Sequence, residues 1–295
     1  MVVKKRGYQL GVNLVMALLA LACVFPFLLL VASSFTDENA LITGGYALIP
    51  KAFSLASYEY LLTSAAKIVR GYGITIFITV VGTTISILLT VLMGYPLSRR
   101  ELPGRNGIAF FIFFTMLFNG GLVPSYMMWT QIFHIKNTIF ALLIPGLLLS
   151  AFYVIMMRTY FTSNIPDALI EAARIDGAGE FRIVAQIIFP LSKPMVASLA
   201  LLVGLNYWNN WTNGLYYITD TKLFSIQNIL NRMLMDAQFI ASGAGGANLA
   251  EASAAMPTTG IKMAVAVIGI LPILVIYPFM QKYLVKGISI GAVKG

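Results

Sequence analysis

Glu171-Ala172-Ala173-Arg174-Ile175-Asp176-Gly177, followed after nine residues by Ile187-Ile188-Phe189-Pro190, is a polar stretch in a chain that is otherwise mostly hydrocarbon. Pro166 fits the first turn of a helix, with Ser163 or Asn164 placed to cap it and Asp167 and Glu171 in its N-terminal half. Gly177 and Gly179 stop or bend that helix, and a second one, over about 180–189, ends at Pro190. Residues 158–193 therefore read as helix, bend, helix: a polar island shaped to be held by another protein.

What surrounds the island decides the fold class. With 59% hydrophobic residues, 11% charged residues and a mean hydropathy of +0.84, the chain is not a soluble domain, since those carry about a quarter charged residues. Apolar segments long enough to span a bilayer occur at about 10–34, 72–97, 107–133, 137–157, 195–218 and 263–281. A barrel would need short alternating strands instead, so the expectation is all-α: one polytopic domain over 1–295 with six transmembrane helices and the island between the fourth and fifth. The first apolar run is too long for a cleavable signal and reads as a retained helix.

The net charge of +9 does not call for nucleic acid. With the N-terminus inside, thirteen of the twenty Lys and Arg residues fall on the inner side, although the outer loops are longer. That bias explains the basic balance and places both termini in the cytoplasm. Cys23 is the only cysteine, so no internal disulfide can form.

The outer loop at about 35–71 suggests a small ordered lobe. Asn119-Gly120-Gly121 and Pro124 should break the third span at mid-membrane, in a region expected to face the bundle interior, where freed backbone groups find partners. In the last outer loop, at about 217–262, Ile226, Ile229, Leu230, Met233, Leu234, Ala237 and Ile240 follow helical spacing. Gln227, Asn228, Asn231, Arg232 and Asp236 take the opposite face, and Ser242–Gly246 reads as a flexible linker.

Catalytic chemistry is missing. There is no P-loop, no Cys/His metal pattern and no G-x-S-x-G, and the single histidine, His134, sits at a membrane edge. No span carries an ionisable side chain near its centre, which weakens a self-sufficient ion-coupled carrier. A membrane-embedded enzyme would need catalytic carboxylates or histidines near the interface at fixed spacing, and none recurs. Energy for uphill transport would then enter from outside the membrane, and the island is its port.

Glu171-Ala172-Ala173, Gly177 and Ile187-x-Phe189-Pro190 resemble the EAA loop of importer permeases in the ATP-binding-cassette superfamily, type I, with Phe189 where the family usually has Leu. The tail Gly287-Ile288-Ser289-Ile290-Gly291-Ala292-Val293-Lys294-Gly295 is similar to that of the second maltose permease subunit. Phe118–Pro124 and Tyr207-Trp208-Asn209-Asn210-Trp211 resemble a branch linked to complex oligosaccharides.

The resemblance implies a bacterial plasma-membrane subunit that needs no cofactor and has no ATPase site of its own. Its partners would be a second, homologous permease subunit in a heterodimer, two cytosolic ATP-binding subunits and an extracytoplasmic solute-binding protein delivering an oligosaccharide. It also assigns Glu171, Ala172, Ala173, Arg174, Asp176 and Gly177 to ATPase coupling, with Glu171 and Arg174 offering charges to a groove rim. Gly291, Val293, Lys294 and Gly295 are assigned to a tail threading the ATPase assembly.

Asn119, Asn206, Trp208, Asn209, Asn210, Trp211 and Asn213 form the candidate substrate pathway. Flat aromatic faces and amides together suit a sugar, and amides facing lipid are costly. The same tryptophans also fit an interfacial aromatic belt, and both readings stay open here. The nearest alternative is a permease of the same superfamily for an amino acid or a peptide.

Overall fold

The computed structural model describes residues 6–241 and 258–292. Among them the chain is helical, with a single isolated antiparallel bridge between Thr36 and Phe53 and no strand. Three helices dominate: α1 (Arg6–Ser34), α4 (Ala65–Ser98) and α14 (Thr258–Ala292). Between α1 and α4 lie α2 (Glu38–Gly44) and α3 (Ala56–Thr63), which make up the expected ordered lobe.

The six expected spans meet a more broken chain. By length and apolar composition three helices can cross a membrane, and up to five if two bent pairs each count as one span. The first pair is α5 (Arg105–Leu117) with α6 (Leu122–Ile132), bent by 113°. The second is α10 (Glu180–Leu191) with α11 (Lys193–Asn209), bent by 83°. The segment expected at 137–157 is not one helix. It divides into α7 (Phe140–Leu143) and α8 (Ala151–Asn164) around a turn at Pro145-Gly146, because proline has no N–H to continue the ladder. The segment expected at 195–218 is likewise interrupted at Asn210, whose Oδ1 accepts the amide of Asn213 (3.0 Å) in the first turn of α12 (Thr212–Tyr217). Between α8 and α10 lies α9 (Asp167–Ile175), and α13 is Ile226–Ala241.

The third span breaks where Asn119-Gly120-Gly121 predicted, but its surroundings differ from expectation. Residues 118–124 are exposed in this chain and do not face its interior. The break satisfies part of its backbone locally instead: the Gly121 amide donates to Asn119 Oδ1 (2.9 Å) and Ser125 Oγ donates to the Gly121 carbonyl (2.8 Å).

The described residues group into two compact units. One comprises Met1–Ile68 and Leu230–Ile273. In it, Phe35 stacks on Tyr58 (ring centroids 4.9 Å) and Phe53 (5.9 Å), and Asp37 caps α2 through the Asn39 amide (3.0 Å). Glu38 caps α14: its carboxylate accepts from the amides of Thr259 (2.8 Å) and Gly260 (2.9 Å).

The other unit comprises Val69–Ile229 and Leu274–Gly295. Its core joins α4, α8 and α11 through Ile78, Met157, Phe161, Leu199, Val203 and Tyr207, all buried. One face of α4 carries the hydroxyls of Thr79, Thr83, Ser86 and Thr90, which are buried without a hydrogen-bond partner. The start of α13 buries Ile226 and Ile229 as its spacing predicted. Asn228, assigned to the outward polar face, is fully buried too; its amide nitrogen reaches the Trp211 carbonyl (3.4 Å), and Gly214 leaves it room. Ser242–Gly246 lies outside the described residues.

Candidate functional site

The island folds as helix, bend, helix, with different punctuation from that expected. Ser163 and Asn164 finish α8, and Pro166 itself stands at the N-cap of α9 in extended conformation (φ −62°, ψ 135°). Asp167 in the first turn and Arg174 in the last complement the helix dipole. At the far end the Ala178 amide donates back to the Ala173 carbonyl (2.9 Å), a closure that needs the positive φ of Gly177 (+79°). The second helix does not stop at Pro190 but runs to Leu191, because its preceding turns widen over Val184–Ile188 and make room for the proline ring.

The faces of α9 are sharply divided. Ile170 and Ala173 are buried against the chain, whereas Glu171, Ala172 and Asp176 are exposed. Ala172 and Ala173 therefore do not share an outward face. Two large apolar side chains stand out beside them, Ile175 at 86% exposure and Phe181 at 83%.

Arg174 is not a free charge for a groove rim. Its guanidinium pairs with Glu101, in the turn after α4, and with Glu180 (2.9 Å) at the start of α10. Helical geometry puts residue 174 roughly 60° round the axis from 171, far enough to turn it inward while Glu171 stays outward. Glu180 also accepts from the Tyr95 hydroxyl (2.7 Å), and Arg99 pairs with Asp167 (2.8 Å) while lying 5.5 Å from the Tyr95 ring centroid. The Glu101 contact, opposed by some desolvation, raises the Arg174 pKa further above its ordinary value. The Tyr95 hydroxyl first, then Arg174, hold the Glu180 carboxyl below its ordinary 4.5. An open groove of about 320 Å³ runs beside this cluster, bordered by Pro96, Leu102 and Pro103.

Tyr95, Arg99, Glu101 and Glu180 were not singled out from the sequence, and Asp167 was read only as a helix-start residue. A signal was available: in a chain with only eleven acidic residues, carboxylates and arginines recurring in two neighbouring inner segments invite pairing.

The pathway candidates separate into two sets. Asn119, Asn206, Asn209 and Trp211 are exposed, with Asn206 Nδ2 donating to the Tyr153 hydroxyl (3.0 Å). Trp208 is buried near Tyr72 (ring centroids 6.2 Å). Asn213 is buried and donates to the Pro145 carbonyl (2.9 Å), so it secures the broken fourth segment, and Asn210 shapes the turn into α12. In the tail, the backbone is helical through Gly291 to Ala292; Val293, Lys294 and Gly295 lie outside the described residues.

Residues 99–290 match the family described as "Binding-protein-dependent transport system inner membrane component". The chain belongs to that family. It is a multi-pass plasma-membrane permease component of ATP-binding-cassette importers, not itself an enzyme, in a family that works with a partner permease, an ATPase and a binding protein.

Its relatives include the polygalacturonan/rhamnogalacturonan transport system permease protein YtcP of Bacillus subtilis, 35% identical over 294 residues, covering 99% of this chain and all of that one. The arabinooligosaccharides transport system permease protein AraQ of Halalkalibacterium halodurans is 29% identical over 287 residues, covering 95% and 94%. Among solved structures, a bacterial transporter for import of the acidic polysaccharide alginate superposes with a TM-score of 0.78 at 26% identity, over 96% of this chain and 98% of that one.

Proposed function

We propose that this chain is the transmembrane subunit of an ATP-driven importer of oligosaccharides, coupled to cytosolic ATPase subunits through α9. The observation that carries the reading is the division of α9: Glu171, Ala172 and Ile175 project away from the chain while Ala173 and Arg174 hold the helix to it. A helix anchored on one face and open on the other is suited to seat in a partner's groove, and the relatives' sugar substrates support the cargo class. The chain acts as one permease domain paired with a second, homologous subunit, over two ATPase subunits. Both termini and the island lie on the cytoplasmic side, as the lysine and arginine bias argues. The outer loops at 35–71 and 217–262 receive the solute-binding protein. Exposed Asn119, Asn206, Asn209 and Trp211 are the pathway residues of this subunit.

The test is co-expression with the neighbouring ATPase, partner permease and binding protein. The wild-type assembly should hydrolyse ATP faster when the binding protein is loaded with neutral or uronic-acid oligosaccharides. Glu171→Lys, which inverts an outward charge, and Gly177→Pro, which cannot adopt the required φ, should insert normally yet lose co-purification or stimulation. Wild-type behaviour in both variants would remove α9 from the coupling role.

A further inference from the structure

The end of α4 and the turn that follows it are tied to every element of the island. The Leu97 carbonyl accepts from Arg158 Nε of α8 (3.0 Å), Arg99 pairs with Asp167 of α9, Glu101 with Arg174 of α9, and Tyr95 with Glu180 of α10. Arg99 is almost wholly buried, at 5% exposure. Breaking half of a pair so placed leaves a desolvated charge without compensation, so this joint resists opening. Three of the eleven acidic residues in the chain are engaged in it.

The other end of α4 is fixed as firmly. Thr75 Oγ1 donates to the Gly71 carbonyl (2.8 Å) and accepts the amide of Ile226 (2.8 Å). Gly71 lies against the Ile226 backbone and the Ile229 side chain, with no space for a side chain of its own. Two residues on, Asn228 reaches the Trp211 carbonyl. Between Gly71 and Ser98 the helix is unbroken, about 40 Å at 1.5 Å per residue. Pro96 is the one proline within it and lies in its last turn, so the length from Gly71 to Tyr95 is free of that helix-breaking residue.

We propose that Glu101, Arg99 and Tyr95 are positioning residues that fasten the coupling segment to α4, so that displacement of α9 by the ATPase reaches the 211–228 segment as motion of a rigid rod. Arg174 belongs to this internal joint and not to the ATPase contact. The inference rests on the coupling role of α9 proposed above.

A charge exchange tests it in the complete importer reconstituted in liposomes. Glu101→Arg and Glu101→Gln should keep the ATPase subunits bound and hydrolysing, yet move several-fold less sugar per ATP. Arg174→Glu should lose the same ratio. The double variant Glu101→Arg/Arg174→Glu should recover most of it, because an arginine at 101 faces carboxylates at both 174 and 180.

Full transport per ATP in both Glu101 variants would overturn the joint. So would a double variant no better than Arg174→Glu, with co-purification lost in both, since Arg174 would then be contacting the ATPase. If Glu101→Arg fails to assemble, the neutral Glu101→Gln decides. Failure of the coupling role is separately visible: Glu171→Lys would then behave as wild type, whatever the exchange shows.

Discussion

The ring of Tyr207 occupies the space that a side chain on Gly82 would need. The two helices, α4 and α11, approach closely there, and the Tyr207 hydroxyl continues across to donate to the Leu143 carbonyl (2.8 Å) at the end of α7. One aromatic residue thus sets the spacing of two helices and anchors a third. Gly82→Ala should cost about 1–3 kcal/mol from overpacking, read as a lowered midpoint of thermal unfolding in detergent. Tyr207→Leu in the same background should recover part of the loss. A Gly82→Ala variant as stable as wild type would refute the close contact.

Glu38 holds the first amides of α14, where unpaired N–H groups and the positive helix end both favour a carboxylate. Glu38→Ala should destabilise that helix start by about 1 kcal/mol. Hydrogen exchange at Thr259 and Gly260 should accelerate before exchange in the middle of α14 changes. Unaltered protection at those two amides would show that the cap contributes nothing.

The Glu180 carboxyl, held below its ordinary 4.5, gives the island a defined response to acid. Its ties to Tyr95 and Arg174 are fully present above that ordinary value, and they are lost as the pH falls through the depressed one. Arg174 shifts the other way, upward, and stays charged throughout. Exchange over 167–183 should therefore quicken on acidification, and Glu180→Gln should remove the part of the response lying below the ordinary carboxylate range. An identical acid profile in Glu180→Gln would exclude Glu180 as the source.

Thr79, Thr83, Ser86 and Thr90 repeat at intervals of four, three and four residues, so they share one face of α4. Their buried hydroxyls lack partners, and a buried hydroxyl without a hydrogen bond is destabilising. Thr79→Val, Thr83→Val and Thr90→Val keep the shape and remove the polar atom, so each should raise stability, by up to about 1 kcal/mol. Thr75→Val is the internal contrast: its hydroxyl is paired twice, and its loss should lower stability by about 1–2 kcal/mol. The same sign at Thr75 and Thr83 would contradict this account.

Length and apolarity made α1, α4 and the apolar start of α14 legible from the sequence, and glycine chemistry made the stop at Gly177 legible. The direction of α9 was not. Charge at positions 171 and 174 says that both can meet water or a partner; only the location of Glu101, some seventy residues earlier, turns Arg174 inward. Asn228 escaped for a related reason. A polar residue opposite an apolar stripe reads as outward until a second polar group, here the Trp211 carbonyl that also accepts from the Leu215 amide, is brought against it. The fourth segment misled because its hydropathy is uniform, while Pro145 acts on the backbone and leaves no trace in hydropathy.

Among the described residues, none of the most apolar stretch of α1 is buried. Where that stretch meets lipid, selection can read it as a solvent-matching composition, since no knob must there find a particular hole. Leucine, valine and methionine along 10–28 should be interchangeable over evolutionary time, and a scrambled order should serve as well as the native one. The row facing Tyr207 and Met157 along α4 has no such freedom, so two tempos of change are expected in neighbouring lengths of membrane-grade sequence.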